Sequence, residues 1–247
     1  MTADRLRALH VPGTPILLPN AWDADTAMLV EAAGFPVVAT SSGAMAASLG
    51  YADGDSTPAR EVFAATARIV RAVSVPVTVD AEGGYGLSSV DLAHGLLEAG
   101  AVGCNLEDTD HVRGGLRGVE AQAERIAALR AAAGDALVLN ARIDVFLGAR
   151  DQAAVLDEAV TRARAYLAAG ADCVYPILLR SAEVLAAFTD AVRPAAVNAA
   201  YLPDGPDFTA LATLGVARIS LGVGLWRRSR SVIEEMLAEL AAGKRPY

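Results

Sequence analysis

A chain of 247 residues, 53% of them apolar, is long enough to bury the core of one large α/β domain. Its formal net charge of −8 argues against nucleic acid as a partner, because contact with a phosphate backbone needs a basic surface. No uncharged apolar run reaches the roughly 18 residues of a membrane span, and residues 1–10 lack the apolar stretch of a signal peptide. We therefore expect a cytoplasmic protein with no membrane partner.

Short apolar runs alternate with amphipathic stretches along the whole chain, without a linker or a change in composition. The runs predict eight strands, at residues 16–19, 37–40, 75–80, 102–107, 136–142, 173–176, 195–198 and 217–221. Between them, apolar residues recur at helical spacing, for example at residues 58–72, 90–98, 121–133, 153–169 and 230–242. Alternating strands and helices predict a parallel sheet that is covered on its outer face.

Eight strand-helix units in about 250 residues are typical of a (β/α)8 TIM barrel, and we predict one such domain over residues 1–247. An open doubly wound sheet is the alternative. Against it, the turn after the first strand, residues 18–23, has no glycine-rich phosphate fingerprint. In a barrel the active site lies where the strands end, so polar residues at those positions are the candidates.

Polar residues follow six of the eight predicted strands. They are Asn20 and Asp23, then Thr40, Ser41, Ser42 and Gly43, then Asp80 and Glu82, then Glu107 and Asp108, then Arg142 and Asp144, and finally Asn198. Asp80 and Glu82 stand one residue apart, so their side chains point to one face of an extended strand. Neighbouring strands lie about 4.8 Å apart, so the acids of the third and fourth strands can converge on one cation.

Clustered acids repel one another unless a cation or a proton intervenes. Carboxylate oxygens completed by water suit Mg2+ or Mn2+, whereas zinc would favour histidine and cysteine. Of the three histidines, only His111 follows a strand closely enough to reach the strand ends, and we expect His10 and His94 on the surface. Cys104 and Cys173 lie within apolar runs and are predicted to pack in the core.

Arg142 ends the fifth predicted strand, where its forked donors would match a carboxylate or a phosphonate. The alternative is an internal salt bridge to Glu107 or Asp144. The turn Ser41-Ser42-Gly43-Ala44 offers hydroxyls and backbone N–H groups to an anion.

Several stretches, in order along nearly the whole chain, resemble the isocitrate lyase and phosphoenolpyruvate mutase superfamily. They are Asp80-Ala81-Glu82-Gly83-Gly84-Tyr85-Gly86, Asn105-Leu106-Glu107-Asp108, Asn140-Ala141-Arg142-Ile143-Asp144, Ser42-Gly43 and the loop Ser48-Leu49-Gly50-Tyr51-Ala52-Asp53. The resemblance implies a modified TIM barrel that binds Mg2+ and a small 2-oxo or 2-hydroxy carboxylate, with an enolate-like intermediate.

The resemblance also implies roles for individual residues. The implied metal ligands are Asp80, as the main ligand, with Glu82 and Glu107 acting through water. The implied substrate-binding residues are Ser42, Gly43, Ala44, Asp80, Arg142 and Asn198. The implied catalytic residues are Arg142, Asp53, Tyr85 and Glu107, with Asp53 on a loop that closes over the ligand. Tyr51 and His111 join Asp53 and Tyr85 as candidates for the general acid.

The chain also departs from the superfamily pattern. Residues 112–117 stand where the lyases carry a Cys-Gly-His loop, and Ile177 stands where they place a glutamate. The mutases use a histidine on the sixth strand, where this chain has Tyr175-Pro176-Ile177. Three functions therefore remain open: a Mg2+-dependent lyase or decarboxylase, a phosphonomutase or C–P hydrolase, and a non-catalytic binder of small carboxylates.

The last predicted helix carries an apolar stripe formed by Val232, Met236, Leu237 and Leu240. This stripe is buried either against its own barrel or, as the resemblance implies, against a neighbouring subunit that exchanges this helix. We predict a homodimer or homotetramer, since exchange of identical elements is a low-cost route to a symmetric oligomer.

Overall fold

A computed structural model describes residues 2–247, which contain nine strands and ten α-helices. The strands are β1 (Ile16–Leu18), β2 (Asn20–Ala21), β3 (Val38–Thr40), β4 (Val77–Asp80), β5 (Gly103–Glu107), β6 (Val138–Ile143), β7 (Cys173–Pro176), β8 (Ala196–Ala200) and β9 (Arg218–Ser220). The helices are α1 (Ala3–Ala8), α2 (Ala24–Ala32), α3 (Ser42–Leu49), α4 (Ala59–Ala72), α5 (Ser89–Glu98), α6 (Val119–Ala133), α7 (Leu156–Ala168), α8 (Ala182–Val192), α9 (Phe208–Thr213) and α10 (Gly224–Ala241).

The strands form one parallel sheet in the order β1-β9-β8-β7-β6-β5-β4-β3-β2. β1 pairs with β9 and β2 pairs with β3, so the chain itself joins the two ends of the sheet at Pro19. Proline has no N–H to donate to a ladder, which explains why the strand predicted at residues 16–19 ends at Leu18, and β2 lies beyond its predicted end. The predicted TIM barrel is confirmed, with nine strand segments rather than eight.

The amino-terminal end of the barrel is closed by apolar side chains. Leu6 of α1 is buried in a cluster with Ile16, Leu18 and Val138, which come from β1 and β6. Alternate residues of the strands point outward into a larger cluster beneath the helices, where Val174 and Ile219 contribute. The carboxyl ends of the strands, by contrast, are lined with polar and charged residues.

Helix α10 begins earlier than predicted and buries none of its residues. Trp226 packs edge-on against Trp22, with ring centroids 5.1 Å apart. Val232, Leu237 and Leu240 are 39%, 58% and 53% exposed, so the alternative that this stripe packs on its own barrel is wrong for these residues. Exchange of α10 between subunits stays a prediction.

None of the helices described in residues 2–247 combines the length and the apolar composition needed to cross a bilayer.

Candidate active site at the barrel mouth

Asp80 ends β4 and has both carboxylate oxygens engaged by neighbouring elements. Its Oδ2 accepts hydrogen bonds from the Ser42 hydroxyl at 2.7 Å and the Ser42 N–H at 3.2 Å. Its Oδ1 accepts a longer bond from Asn105 Nδ2, at 3.4 Å. The Thr40 hydroxyl interacts with the Asp80 backbone N–H at 2.9 Å. The Asp80 carboxylate is therefore held by α3 and β5, and a side chain of β3 supports the Asp80 backbone.

The predicted turn at residues 41–44 is in fact the first turn of α3, with Ser41 as the residue before the helix. Ser42 donates both its N–H and its hydroxyl to Asp80. Gly43 permits a close approach, because a Cβ at this position would lie 3.0 Å from Asp53 Oδ2. Asp53 thus lies over the start of α3, beside Gly43.

The side chains of Glu82 and Asp55 each bind backbone N–H groups of the other residue's loop. Glu82 Oε2 accepts the N–H of Gly54 at 2.7 Å and also the N–H of Asp55. In return, Asp55 Oδ1 accepts the N–H of Gly83 at 3.0 Å and that of Tyr85 at 3.1 Å. We call this arrangement the reciprocal clamp; it ties the loop of residues 51–57 to the loop after β4.

The clamp requires unusual backbone conformations. Asp55, Glu82 and Tyr85 have φ values of 57°, 47° and 55°, in the left-handed region that non-glycine residues seldom adopt. Strain of this kind persists where surrounding contacts impose it and is concentrated at functional sites.

Burial raises the pKa of Glu82 to about 7, and the nearby Asp80, Asp53 and Asp55 also raise it. The N–H of Asp55 acts in the opposite direction, because it stabilises the ionised carboxylate. Glu82 is only 3% exposed. A buried carboxyl of this kind changes protonation near neutral pH, unlike an ordinary surface glutamate.

A chain of charged groups lies on the other side of the mouth. Arg142 donates to Asp144 at 2.7 and 2.8 Å and forms an ion pair with Glu107 at 2.5 Å. The other Glu107 oxygen contacts His111 Nε2. Both internal partners proposed for Arg142 as the alternative are therefore present, and a substrate anion would have to displace one of them.

His111 stands among the acids of the mouth. Its hydrogen bond to Glu107 raises its pKa, and the charges of Glu107, Asp55 and Glu82 raise it further, while burial opposes them. The pKa of Glu107 is itself raised, chiefly by burial. A protonated imidazole here neutralises acids that would otherwise repel one another.

One group of three side chains in residues 2–247 has the geometry of a metal centre. Ligand atoms of Asp55, Glu82 and His111 all lie within 4.8 Å of one another. Two carboxylate oxygens and one imidazole nitrogen form a donor set that fits a divalent cation. The group shares Glu82 with the predicted ligands, whereas Asp80 and Glu107 lie outside it.

Two other predicted residues make internal contacts. The Tyr85 hydroxyl donates to the backbone carbonyl of Asp80 at 3.2 Å, so it supports the end of β4 from below. Asn198 is fully buried inside the barrel, where its amide and the Ser220 hydroxyl bond at 3.2 Å. Asp108 is structural: it binds Arg162 at 3.0 Å and the Tyr166 hydroxyl at 2.7 Å.

Sequence reasoning missed Asp55, Asn140 and Arg218. Asp55 belongs to a loop with no periodic pattern, and its role depends on the left-handed backbone of the clamp. Arg218 and Ser220 alternate with the apolar Ile219 in β9, a pattern that places both polar side chains on the inner face. That signal was present in the sequence.

A parallel barrel with clustered acids and an arginine at its strand ends defines a class of TIM-barrel enzymes that act on small anions. Residues 6–241 match the family model described as phosphoenolpyruvate phosphomutase. The chain belongs to this family, within the isocitrate lyase and phosphoenolpyruvate mutase superfamily, and is an enzyme of that superfamily.

The relatives include lyases and mutases. 2-Methylisocitrate lyase of Escherichia coli is 30% identical over 226 residues, which cover 82% of this chain and 74% of the relative. An uncharacterized protein of Mycobacterium tuberculosis is 33% identical, over 87% of this chain and 80% of the relative. The solved structure of a candidate phosphonomutase from Burkholderia cenocepacia J2315 is 40% identical, with a TM-score of 0.90, over 96% of this chain and 99% of that chain.

Proposed function

We propose that the protein is a divalent-cation-dependent carbon–carbon lyase or decarboxylase that acts on a small 2-oxo or 2-hydroxy carboxylate through an enolpyruvate-like intermediate. The observation that carries this proposal is the Asp80 carboxylate, which is held at both oxygens at the barrel mouth, with Arg142 on the same face. The similarity to 2-methylisocitrate lyase supports carbon–carbon cleavage.

The cation is Mg2+ or Mn2+, held mainly by Asp80 with Glu82 and Glu107 beside it. Oxygen-rich sites of this kind suit these hard cations. When bound, the cation supplies electrostatic stabilisation to the oxygen that becomes negative in the enolate. Asp55 and His111 lie next to Glu82 and are alternative ligands of the cation.

The substrate carboxylate binds Arg142, which exchanges one of its two acidic partners for the substrate. A second carboxylate binds the start of α3, at Ser42, Gly43 and Ala44, where the N–H groups of a helix amino terminus favour an anion. Asn198 and Ser220 form the polar wall beneath. Asp53 approaches from the closing loop and excludes water.

His111 is the proton donor in this proposal. Its raised pKa keeps the imidazole protonated to a higher pH than usual, and Glu107 holds its Nε2. Tyr85 is a poor donor, because burial holds its pKa well above the ordinary value and its hydroxyl is bound to the backbone of Asp80. Tyr85 instead fixes the position of the strand end.

The test begins with Asp80→Ala, with Asp4→Ala as its control, since Asp4 is an exposed acid of α1. Calorimetric titration with Mg2+ should show binding to the control variant and at least tenfold weaker binding to Asp80→Ala, the scale of a lost metal contact. Carbon–carbon cleavage should be followed by proton NMR on 2-methylisocitrate, oxaloacetate and 2,3-dimethylmalate. An unchanged Mg2+ affinity in Asp80→Ala would contradict the proposal.

A second candidate function is the phosphonomutase or C–P hydrolase reaction. The 40% identity to the candidate phosphonomutase of Burkholderia cenocepacia favours it. Phosphorus NMR on phosphonopyruvate distinguishes the two, because rearrangement gives a phosphate ester and hydrolysis gives free phosphate. Either product, together with failure of every carbon substrate, would replace the lyase assignment.

The assembly is a homodimer or homotetramer in this proposal, with α10 covering a neighbouring subunit. Support comes from Ile233, Leu237 and Leu240, which are large, apolar and about half exposed along one helix. Size-exclusion chromatography with light scattering should show a dimer or larger, and Leu237→Glu should shift it toward the monomer. A full-length monomer at micromolar concentration would contradict this assembly.

A further inference from the structure

Arg218 is a charged residue in the middle of the barrel. It begins β9 and is 1% exposed. Its Nη2 donates to Asn105 Oδ1 at 3.1 Å, and its Nε donates to the Ser220 hydroxyl at 3.4 Å. Its Nη1 is enclosed and has no hydrogen-bond partner in the described part of the chain.

A guanidinium in this position is costly, because a buried charge normally requires a paired opposite charge. The hydrogen-bond partners of Arg218 are an amide and a hydroxyl, neither of which carries a charge. Burial accordingly lowers its pKa. An apolar residue would fill this space at a lower cost in folding free energy. The role of Arg218 is therefore sought in the contacts that it makes.

The contact with Asn105 fixes the orientation of an amide. Asn105 Oδ1 accepts from Arg218 Nη2 at 3.1 Å and also from Asn140 Nδ2 at 2.8 Å. If the amide were rotated by half a turn, its NH2 group would face two donors, which is unfavourable. The same two contacts therefore direct Asn105 Nδ2 away from Arg218 and toward Asp80 Oδ1, 3.4 Å away.

We propose that Arg218 is a positioning residue for Asp80. It acts from β9 through Asn105 on β5, and Asn105 holds one oxygen of the Asp80 carboxylate while Ser42 holds the other. The ligand that this arrangement serves is a divalent cation. The inference rests on the proposed function in that Asp80 is taken as the main cation ligand.

The direction of the change in Mg2+ affinity distinguishes a positioning role of Arg218 from a purely electrostatic one. A positive charge inside the barrel repels a cation at Asp80, so removing that charge alone would tighten Mg2+ binding. If Arg218 instead orients Asn105 and thereby Asp80, removing it weakens Mg2+ binding. The two roles thus predict changes of opposite direction in one measurement.

The experiment is a double-mutant cycle on Arg218→Met and Asn105→Ala, read by calorimetric titration with Mg2+. Each single variant should bind Mg2+ about tenfold more weakly, as found for residues that support metal ligands. The double variant should lose no more than either single one, because both changes break the same connection. Arg218→Lys, which keeps a donor and the charge, should recover part of the affinity.

Arg130→Met is the matched control for loss of a largely buried arginine. Arg130 bonds to Gly170 and Leu137 at the other end of the barrel, so this variant should keep its Mg2+ affinity. Unchanged or tighter Mg2+ binding by folded Arg218→Met would overturn the proposal, and so would fully additive losses. If Arg218→Met does not fold, Asn105→Ala and Arg218→Lys decide. Weaker Mg2+ binding by Asn105→Ala, with a smaller loss in Arg218→Lys, supports the proposal, and unchanged or tighter binding by both variants overturns it.

Failure of the proposed function gives a different result. Asp80→Ala would then retain full Mg2+ affinity, and the positioning role would be decided by crystal structures of wild-type protein and Arg218→Met without metal. A rotated Asn105 amide with a displaced Asp80 side chain supports the role. Unmoved Asn105 and Asp80 side chains overturn it.

Discussion

Two carboxylates that lie two residues apart are held in different ways. Asp80 is fixed by Ser42 and Asn105, which are side chains at the start of a helix and within a strand. Glu82 is fixed by the backbone N–H groups of Gly54 and Asp55, in the loop of residues 51–57. The supports of Asp80 belong to α3 and to β5, whereas those of Glu82 belong to a loop.

We expect this difference to separate cation binding at Asp80 from the position of the loop of residues 51–57. We predict that a cation site based on Asp80 does not depend on the loop, because the supports of Asp80 belong to α3 and β5. The reciprocal clamp of Glu82 and Asp55 holds the loop of residues 51–57 at the barrel mouth, where exclusion of water would strengthen every charge interaction.

The largest expected effect comes from Gly83→Ala, which breaks the clamp and leaves Asp80 in place. An added Cβ would lie 2.7 Å from Asp55 Oδ2 and 3.0 Å from His111 Cδ2, so the Asp55 side chain must shift away from the N–H groups that it binds. We expect turnover to fall by about 100-fold, the cost of misplaced catalytic groups. Hydrogen exchange should show loss of protection at residues 51–57.

Gly118→Ala is the control, because nothing lies within 4 Å of a Cβ added there. Equal protection of residues 51–57 in Gly83→Ala and the wild type would show that the clamp does not hold the loop.

Glu82→Gln tests the carboxylate held by the loop of residues 51–57, through the pH dependence of stability. The pKa of Glu82 rises from 4.5 to about 7 on folding, so the folded chain holds this proton more tightly than the unfolded chain. The corresponding stability is fully present below pH 4.5 and is lost as the pH rises through about 7. The unfolding free energy of metal-free protein in urea should fall by on the order of 3 kcal/mol over this range, and Glu82→Gln should remove that part of the slope. Parallel pH curves for the two proteins would contradict the assignment.

Ser42→Ala tests the carboxylate at the end of β4, Asp80. It removes the 2.7 Å hydroxyl contact with Asp80 Oδ2 and leaves the backbone N–H contact at 3.2 Å. We expect Mg2+ affinity to fall by about tenfold with little change in melting temperature. Ser48→Ala is the control in the same helix, since that hydroxyl binds the carbonyl of Met45. Equal Mg2+ affinities in the two variants would mean that Ser42 does not position Asp80.

The smallest effect on stability is expected for His111→Gln. The pKa of His111 is raised, chiefly by its bond to Glu107, so its contribution to stability is present below about pH 6.5 and is lost as the pH rises through the folded value. Because the side chain is partly exposed, the contribution is under about 1 kcal/mol. Melting temperatures of wild type and His111→Gln should differ below about pH 6 and converge above about pH 8. A difference that appears only above about pH 8 would contradict this assignment.

Much of the fold could be predicted because barrel strands are buried on both faces and read as apolar runs. The predicted strand at residues 173–176 matches β7, and the one at 102–107 begins one residue before β5. The division at Pro19 was missed, although the proline was visible, because strand pairing with two different neighbours depends on the closed ring. The start of α3 was taken for a turn, because Ser41, Ser42 and Gly43 are typical of both.

The site could be predicted only where side chains follow strands. Asp80 and Arg142 stand at strand ends, and position along the barrel follows from that. Asp55 could not be found in this way, because its contact with Gly83 depends on a backbone conformation that no spacing encodes. The roles assigned to Asp80, Glu107 and Asn198 stay predictions.

The closure of the ring at Pro19 has a consequence for biosynthesis. Asn20 binds the N–H of Gly222, 202 residues later in the chain, and β1 pairs with β9. At the usual rate of translation, about 10–40 s pass between the synthesis of these partners. During that interval β1 presents an unpaired edge, the kind of surface on which nascent chains aggregate. A chain whose synthesis stops before residue 218 therefore has an open sheet. β9, the last strand to be made, is the one that closes the barrel.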